Sequence, residues 1–587
     1  MEFEPTNEDL KVWEKRIYDS REKRLRDEEA ALARQREIEQ KARKQKIKTA
    51  RRLTAVFIVA LLAILIYEFQ KDIFPQTVFL AVQTFSSSEH AGNGTNLGSS
   101  FAREIADKMS SFDNVTVMGS SSIQNIERTS HNPTSTMNSL GFMYILKGSV
   151  VNKGATYEVY VNVVDTSNKD VWSGHFEQPA SSIMQLPKEI SLQLAKVMGV
   201  KLTDQAETNL KITGTTNVPA FLLYLKGKED LEKRTLSSVK EAYIQFTQAF
   251  NADPQYANAY AGAASALLVK IENRWDRSDS TMNQTEQLIN QSLKLQPTFP
   301  MGKVAKARLL SLKKKLSDAN KLLDDVLSQY PHHVEALLAK SKILVKMGNL
   351  EEAYTIINRA YVISPRDAEV LLMEGYINTF KGKFRDAMQY SDYALPIVED
   401  SSRYLSETVL DFVMADPDLQ ISSGGRIVNA CTQMVRNNPR DMKILYHQAQ
   451  ILQVLGKIPE ANQPLLTMRS ILQNQLISQP RNADAMMNLA LMLTRYGSFP
   501  EGIDMARRAV SISRNDPSIL YKLAQMYSVQ MASHKGAKID ATKKSEALKY
   551  LGEAVNLDYR IDELADGDFF NLRSQPEFLT TIQMQLK

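Results

Sequence analysis

Three prolines set the frame of this chain: Pro297, Pro331 and Pro365 stand at successive intervals of 34 residues. Self-similarity at such a period means a stack of small units, each burying its apolar face on the next. Counting from Pro331, a glycine falls 17 residues later at Gly348, an alanine 22 later at Ala353 and another 29 later at Ala360. The same offsets give Gly382, Ala387 and Ala394 from Pro365; Gly456, Ala461 and Met468 from Pro439; and Gly497, Gly502 and Ala509 from Pro480. A small residue also recurs ten after each proline, at Ser341, Gly375, Ala449 and Ala490. Each place has a mechanical reason: the glycine reverses the chain between two helices, the small residues let those helices approach, and the proline ends the pair. A stack is also what 587 residues call for, since single cores stop growing at ~250–300 residues.

In period and residue type these places are those of the tetratricopeptide repeat, which residues 218–560 resemble. The outer units are looser: 219–254 carries an irregular loop, 254–297 is stretched, 396–439 lacks the consensus, and an insert near 533–543 precedes Ala547 and Ala554. Roughly eight or nine helix pairs are expected. The ending DGDFFNLRSQPEF, within 561–587, reads as a C-terminal cap. The resemblance implies a concave surface that binds an extended or helical protein segment. It places groove-lining residues at Glu335, Leu338, Lys342, Val345 and Lys346, then at Glu369, Leu372, Tyr376, Thr379 and Phe380. The following sets are Lys443, Tyr446, Gln450, Gln453 and Val454, and Asp484, Met487, Leu491, Thr494 and Arg495. The Lys/Asn clamp of chaperone-tail readers is absent, so mixed apolar and polar contacts are expected.

Ahead of the repeats lies one uncharged apolar run, Leu53 to Tyr67. At 15 residues it is short of the ~20 that span a bilayer as a helix. Arg51 and Arg52 can snorkel, Phe69, Ile73 and Phe74 extend the apolar content, and Tyr67 suits an interface. Residues 53–74 therefore read as a signal anchor, with Leu53–Tyr67 the lipid contact, since the run begins too late for a signal peptide and no small-residue cleavage site follows. Residues 1–52 hold 16 Lys/Arg against 12 Asp/Glu, so most of the +5 net charge precedes the run. The positive-inside rule then puts the amino terminus in the cytoplasm and everything beyond about Phe74 in the periplasm of a bacterial inner membrane. Residues 8–50, without Gly or Pro, favour one long charged helix. Leu25 and Leu32 behind Tyr18, with Leu10 and Ile17, leave two readings: a weak coiled coil joining copies of the chain, or a solvated single helix.

Between anchor and repeats, 75–203 reads as an α/β domain, followed by a linker over 204–217. TVFLAVQTF is a buried strand, LGSSFAREIADKMSSF an amphipathic helix and VTVM a short strand. YILKGSVV, TYEVYVNVVD and KDVWSGHFEQ form an antiparallel meander with tight Asn/Gly turns, and LPKEISLQLAKVMG closes the unit as a helix. FLAVQTF, the meander and the closing helix resemble the periplasmic TolB amino-terminal-like domain of bacterial membrane regulators and adenylate-cyclase-associated proteins. Those proteins often carry a cytoplasmic effector domain; here only a charged helix precedes the anchor.

Chemistry-bearing constellations are sparse. Gly92-Asn93-Gly94 with Gly98 lacks the P-loop lysine and dinucleotide spacing. Adjacent His332 and His333 cannot share one metal site on a helix, and the single Cys431 rules out a Cys-based zinc site. His175 and His447 have no ligand pattern around them, and Trp172 sits on an alternating strand as a core residue. Lys313-Lys314-Lys315 reads as a helix end, and the array carries no basic stripe for nucleic acid. The expectation is a mainly α chain with one transmembrane helix, a small α/β domain and a tetratricopeptide-repeat solenoid. It is expected to be no enzyme and to need no cofactor or metal. Its function is expected to be scaffolding of protein partners in a cell-envelope machine for motility, pilus or secretion; the alternative is signalling, passing a periplasmic input to a cytoplasmic partner through the N-terminal helix.

Overall fold

Period-two alternation in TYEVYVNVVD places Tyr157, Val159, Val161 and Val163 on one face, and in the computed structural model that face is buried while Tyr160 turns outward. The structure describes residues 77–87, 97–112, 114–200, 214–273, 275–276, 278–395, 397, 408–409, 412–531, 538–557, 567–573 and 575–583. The charged helix expected over 1–52, the anchor over 53–74, the Gly92–Gly94 loop and most of the 204–217 linker lie outside them. Among the described residues no helix is long and apolar enough to cross a membrane.

The first domain is a mixed sheet of β1 (Val78–Val82), β2 (Ser86–Ser87), β3 (Val115–Val117), β4 (Tyr144–Asn152), β5 (Thr156–Asp165) and β6 (Asp170–Pro179). The order is β3-β1-β4-β5-β6, with β2 also beside β4; β1 runs parallel to β3 and β4, and β4-β5-β6 is an antiparallel meander. Helices α1 (Leu97–Met109) and α4 (Leu186–Val197) cover one face, where Phe101, Ile105, Met109, Ile190 and Leu194 meet Leu80, Val117, Leu146 and Val161. On the other face α2 (Ser120–Thr129) and α3 (Pro133–Ser139) contribute Ile123, Ile126 and Met137 over Ala81, Ile145 and Val164. The Ser/Thr/Asn-rich composition of α2 and α3 hides them in the sequence. The opening strand is shorter than expected: after Val82 the chain leaves β1, and the buried Phe85 ring sits against Gly148, where a Cβ would come within 2.8 Å of it.

The rest is helical. Antiparallel pairs run α5 (Val218–Glu232) with α6 (Leu236–Ala252), α7 (Ala257–Glu272) with α8 (Asp279–Leu295), α9 (Pro300–Leu312) with α10 (Leu316–Gln329), α11 (Val334–Lys346) with α12 (Leu350–Ile363) and α13 (Ala368–Phe380) with α14 (Phe384–Ala394). The unit between Pro396 and Pro439 is divergent, with a long α15 (Pro417–Asn437). Regular pairing resumes with α16 (Met442–Val454) and α17 (Ile458–Ser478), α18 (Ala483–Tyr496) and α19 (Phe499–Ile512), and α20 (Pro517–Gln530) and α21 (Ala541–Asn556).

The repeated residues do what their spacing demands. Gly348, Gly382, Gly456 and Gly497 all adopt left-handed backbone, with φ of 82°, 72°, 73° and 101°. Ala353, Ala360, Ala387, Ala394, Ala461 and Ala509 are buried at the helix crossings. The Ser341 hydroxyl donates across its pair to the Ala353 carbonyl at 3.1 Å. A further recurring place, two residues after each proline, is a helix cap: Asp367, Asp441 and Asn482 each accept a backbone N–H three residues on. His333 holds the same place, its Nδ1 accepting from the Ala336 N–H at 3.2 Å. Burial pushes the His333 pKa down, which keeps that nitrogen unprotonated and able to accept.

Candidate functional site

The first helix of each pair carries the predicted groove residues, and the structure divides them into two groups. In the front half they mostly hold the array together. Lys342 Nζ meets Glu369 Oε2 at 2.8 Å, and Glu369, 5% exposed, also faces Arg234 at 3.7 Å. Lys346 donates to Ser311 Oγ at 3.3 Å, and the Thr379 hydroxyl donates to the carbonyl of Gly375 in its own helix. Leu338 and Leu372 are buried between helices and Val345 is half-buried, whereas Glu335 points to solvent. The Tyr376 and Phe380 rings meet at a tilt of 54° with their centroids 4.7 Å apart.

The α/β domain is seated against this front half. Arg103 of α1 bonds Glu232 of α5 at 2.6 Å, and Lys228 pairs with Asp107. Helix α2 meets the turn between α12 and α13: the Gly119 N–H donates to the Ile363 carbonyl, Asn125 donates to the Arg366 carbonyl at 2.9 Å, and Ser121 bonds the capping carboxylate of Asp367. Arg128 reaches the Ile397 carbonyl at 2.8 Å. Backbone carbonyls and a cap are used here, so the seat is read from the shape of the repeat turn.

In the rear half the predicted residues converge on one another and on a segment that the sequence marks only as a cap. Residues 567–573, a 3-10 turn followed by the short α22 (Phe570–Arg573), lie across the first helices of the repeats. The Asp568 carboxylate is completely buried. It accepts from the Tyr446 hydroxyl at 2.6 Å, from Gln450 Nε2 at 2.6 Å, from Arg495 Nη2, and from Gln525 Nε2 at 3.4 Å. Its backbone carbonyl accepts from the Ser528 hydroxyl at 2.7 Å. Three repeats, through α16, α18 and α20, thus contribute to one carboxylate cage.

A second tier positions that cage. Arg495 Nη1 donates to Gln453 Oε1 at 2.7 Å, and Gln453 Nε2 returns to the Arg495 carbonyl. The guanidinium also lies over the Tyr446 ring, 5.1 Å from its centroid. Burial works against the Arg495 cation, and Asp568 and Tyr446 more than offset it, holding its pKa above the ordinary arginine range. Gln450 Oε1 is shared with His447 Nδ1. Burial, with Lys443 nearby, pushes His447 down to about 4, so the imidazole is neutral at ordinary pH.

Around the carboxylate the segment is aromatic. Phe569, fully buried, meets Tyr521 edge-on at 5.3 Å, and Phe570 packs beside Phe412 and Val413. Arg573 lies over the predicted groove residue Phe380 at 5.3 Å. Gly567 passes close to Val409 and Val413, whose methyl groups a Cβ would meet at 3.5 and 3.3 Å. Helix α23 (Pro576–Gln583) then packs Phe578 with Phe569, Leu551 and Val555, closing the end of the array. Of the remaining predicted residues, Met487, Leu491 and Thr494 are buried, Asp484 pairs with Lys522 at 2.5 Å, Lys443 is exposed and Val454 is half-buried. Asp568, Gln525 and Ser528 escaped the sequence reading. The available signal was an acidic residue set directly before two phenylalanines in a terminal segment.

The other sequence candidates fall elsewhere. His175 stacks on Tyr160 at 4.6 Å on the outer sheet face, and Trp172 is half-buried against Phe176. Lys313 pairs with Glu286, and Lys314 turns the chain with φ of 62°. Cys431 is a buried free thiol whose pKa burial pushes up to about 12.

Residues 312–374, which span α10, α11, α12 and the start of α13, match the tetratricopeptide repeat family. The chain carries tetratricopeptide repeats. The chain is 22% identical over 182 residues to putative adenylate cyclase 3 of Rhizobium meliloti; the match spans 31% of the chain and 31% of that relative. Among solved structures, a tetratricopeptide repeat protein from Parabacteroides merdae is similar over 49% of the chain and 99% of its own length, with 13% identity and a TM-score of 0.32. PilF of Pseudomonas aeruginosa is similar over 38% of the chain and 96% of its own length, with 14% identity and a TM-score of 0.27. Tetratricopeptide repeats generally bind protein partners.

Proposed function

We propose that the chain is a single-pass scaffold of a bacterial inner membrane, anchored by residues 53–74, with the α/β domain and the tetratricopeptide array in the periplasm binding protein partners of a cell-envelope machine. Its activity is binding, without catalysis. One observation carries the binding part: side chains from three successive repeats already grip a peptide-like segment through hydrogen bonds, an ion pair and aromatic contacts. The anchor and orientation rest on the apolar run and the basic residues ahead of it. The TolB amino-terminal-like pattern of the meander supports the periplasmic placement.

A reporter fused after Lys587 tests the topology: activity only on the periplasmic side is expected, and activity confined to the cytoplasm overturns the orientation. The signalling alternative draws on the relative named an adenylate cyclase. Removing residues 1–50 while keeping the anchor separates the two readings. A scaffold keeps its periplasmic partners after that deletion, whereas a signalling protein loses its output.

A further inference from the structure

The Asp568 cage is a complete recognition site built from groove positions, and its present occupant belongs to the chain itself. Four side-chain donors from three helices point at one carboxylate, and the buried Phe569 and half-buried Phe570 follow it directly. A segment that only closed the array would need the apolar contacts of Phe569, Leu572 and Phe578. It would not need a buried carboxylate held by Tyr446, Gln450 and Arg495, which stand on α16 and α18 rather than on the last pair, α20 and α21.

We propose that the rear groove of the array is specific for a partner segment in which an acidic residue precedes two aromatic residues, and that residues 567–573 are a tethered copy of that ligand which the partner displaces. This rests on the binding function proposed above and names the chemistry of the partner. Charge complementarity favours such a partner: Arg495 is a buried cation whose carboxylate partner is Asp568. Ten residues, 557–566, separate 567–573 from the end of α21 at Asn556. The segment's departure separates Phe569 from Phe578 of α23, and it leaves the helix pairs from α16 to α21 in place. A short tether holds its ligand at an effective concentration on the order of millimolar, so a ligand in trans binds the intact chain well below its intrinsic affinity.

The test uses the full-length chain and a labelled peptide of residues 566–573, DGDFFNLR, followed by fluorescence anisotropy. The Asp568→Ala chain, with its own ligand weakened, is expected to bind this peptide at least ~10-fold more tightly than the wild-type chain. A peptide carrying Asp568→Ala is expected to bind neither chain, and adding Arg495→Ala to the Asp568→Ala chain should abolish binding. Asp568→Asn, which keeps the shape, serves if the alanine variant loses its helical circular dichroism. Equal binding to wild-type and variant chains, or binding indifferent to the peptide's Asp, overturns the proposal. So does a wild-type chain that runs as a dimer through exchanged C-terminal segments, which would make a second copy the occupant. Failure here, with periplasmic partners still found on other faces of the array, removes this inference and leaves the scaffold standing.

Discussion

At the residue scale two buried ionisable groups set opposite pH trends. The folded state depresses His447 from 6.5 to about 4, so the unfolded chain takes up the proton first as pH falls. Its contribution is whole above pH 6.5 and is lost toward pH 4, by up to roughly 3 kcal/mol. Glu374 behaves conversely. Fully buried on α13, with its Oε1 lacking a hydrogen-bond partner, it is raised by burial from 4.5 to about 7. Its contribution is whole below pH 4.5 and is lost as pH rises through about 7. Glu374→Gln is therefore expected to gain roughly 2–3 kcal/mol relative to wild type between pH 4.5 and pH 8 in chemical denaturation, while His447→Gln flattens the acid limb. An unchanged stability difference across that range would contradict the Glu374 assignment. Neither residue was legible as ionically special in the sequence, because each owes its shift to neighbours from other turns. His333 is the converse case: its place two after Pro331 marks a cap once Asp367, Asp441 and Asn482 are aligned with it.

At the element scale, the repeat glycines and the terminal segment make separate predictions. Gly382→Ala forces an L side chain into left-handed backbone at φ 72°, and about 1–2 kcal/mol of destabilisation is expected by thermal or denaturant melting. The same change at Gly425, inside α15 with open space around its Cβ position, should cost nothing and serves as the control. Asp568→Ala leaves Arg495 as a buried cation without this carboxylate, a loss of roughly 3–5 kcal/mol if the segment stayed in place. Release of the segment is the cheaper response. Hydrogen exchange should thus rise sharply over 567–573 and the facing turns of α16, while α11 to α13 keep their protection. Uniform loss of protection along the array would contradict a separable segment. The helix pairs were legible because their glycines and alanines recur at fixed offsets. The segment was not, since its partners lie up to 122 residues away in the chain and no local period records them.

At the scale of the whole molecule the array is gripped by its own chain at both halves. The α/β domain is seated on the turn between α12 and α13, and the terminal segment lies on α16, α18 and α20. The antiparallel meander follows from alternation and turn residues, but the sheet order, α2 and its seat on the array do not. Ser121, Ser122 and Asn125 read as loop chemistry until the turn they meet is known. For the same reason the predicted front-groove residues Lys342 and Glu369 prove to be bonded to each other. The central claim, that the tetratricopeptide array is a protein-binding scaffold at the cell envelope, is tested most directly by crosslinking the chain in its own cells and mapping the linked peptides by mass spectrometry. Links from residues 218–560 to subunits of an envelope assembly are the predicted result. Links only from residues 1–50, to a soluble cytoplasmic regulator, would contradict it.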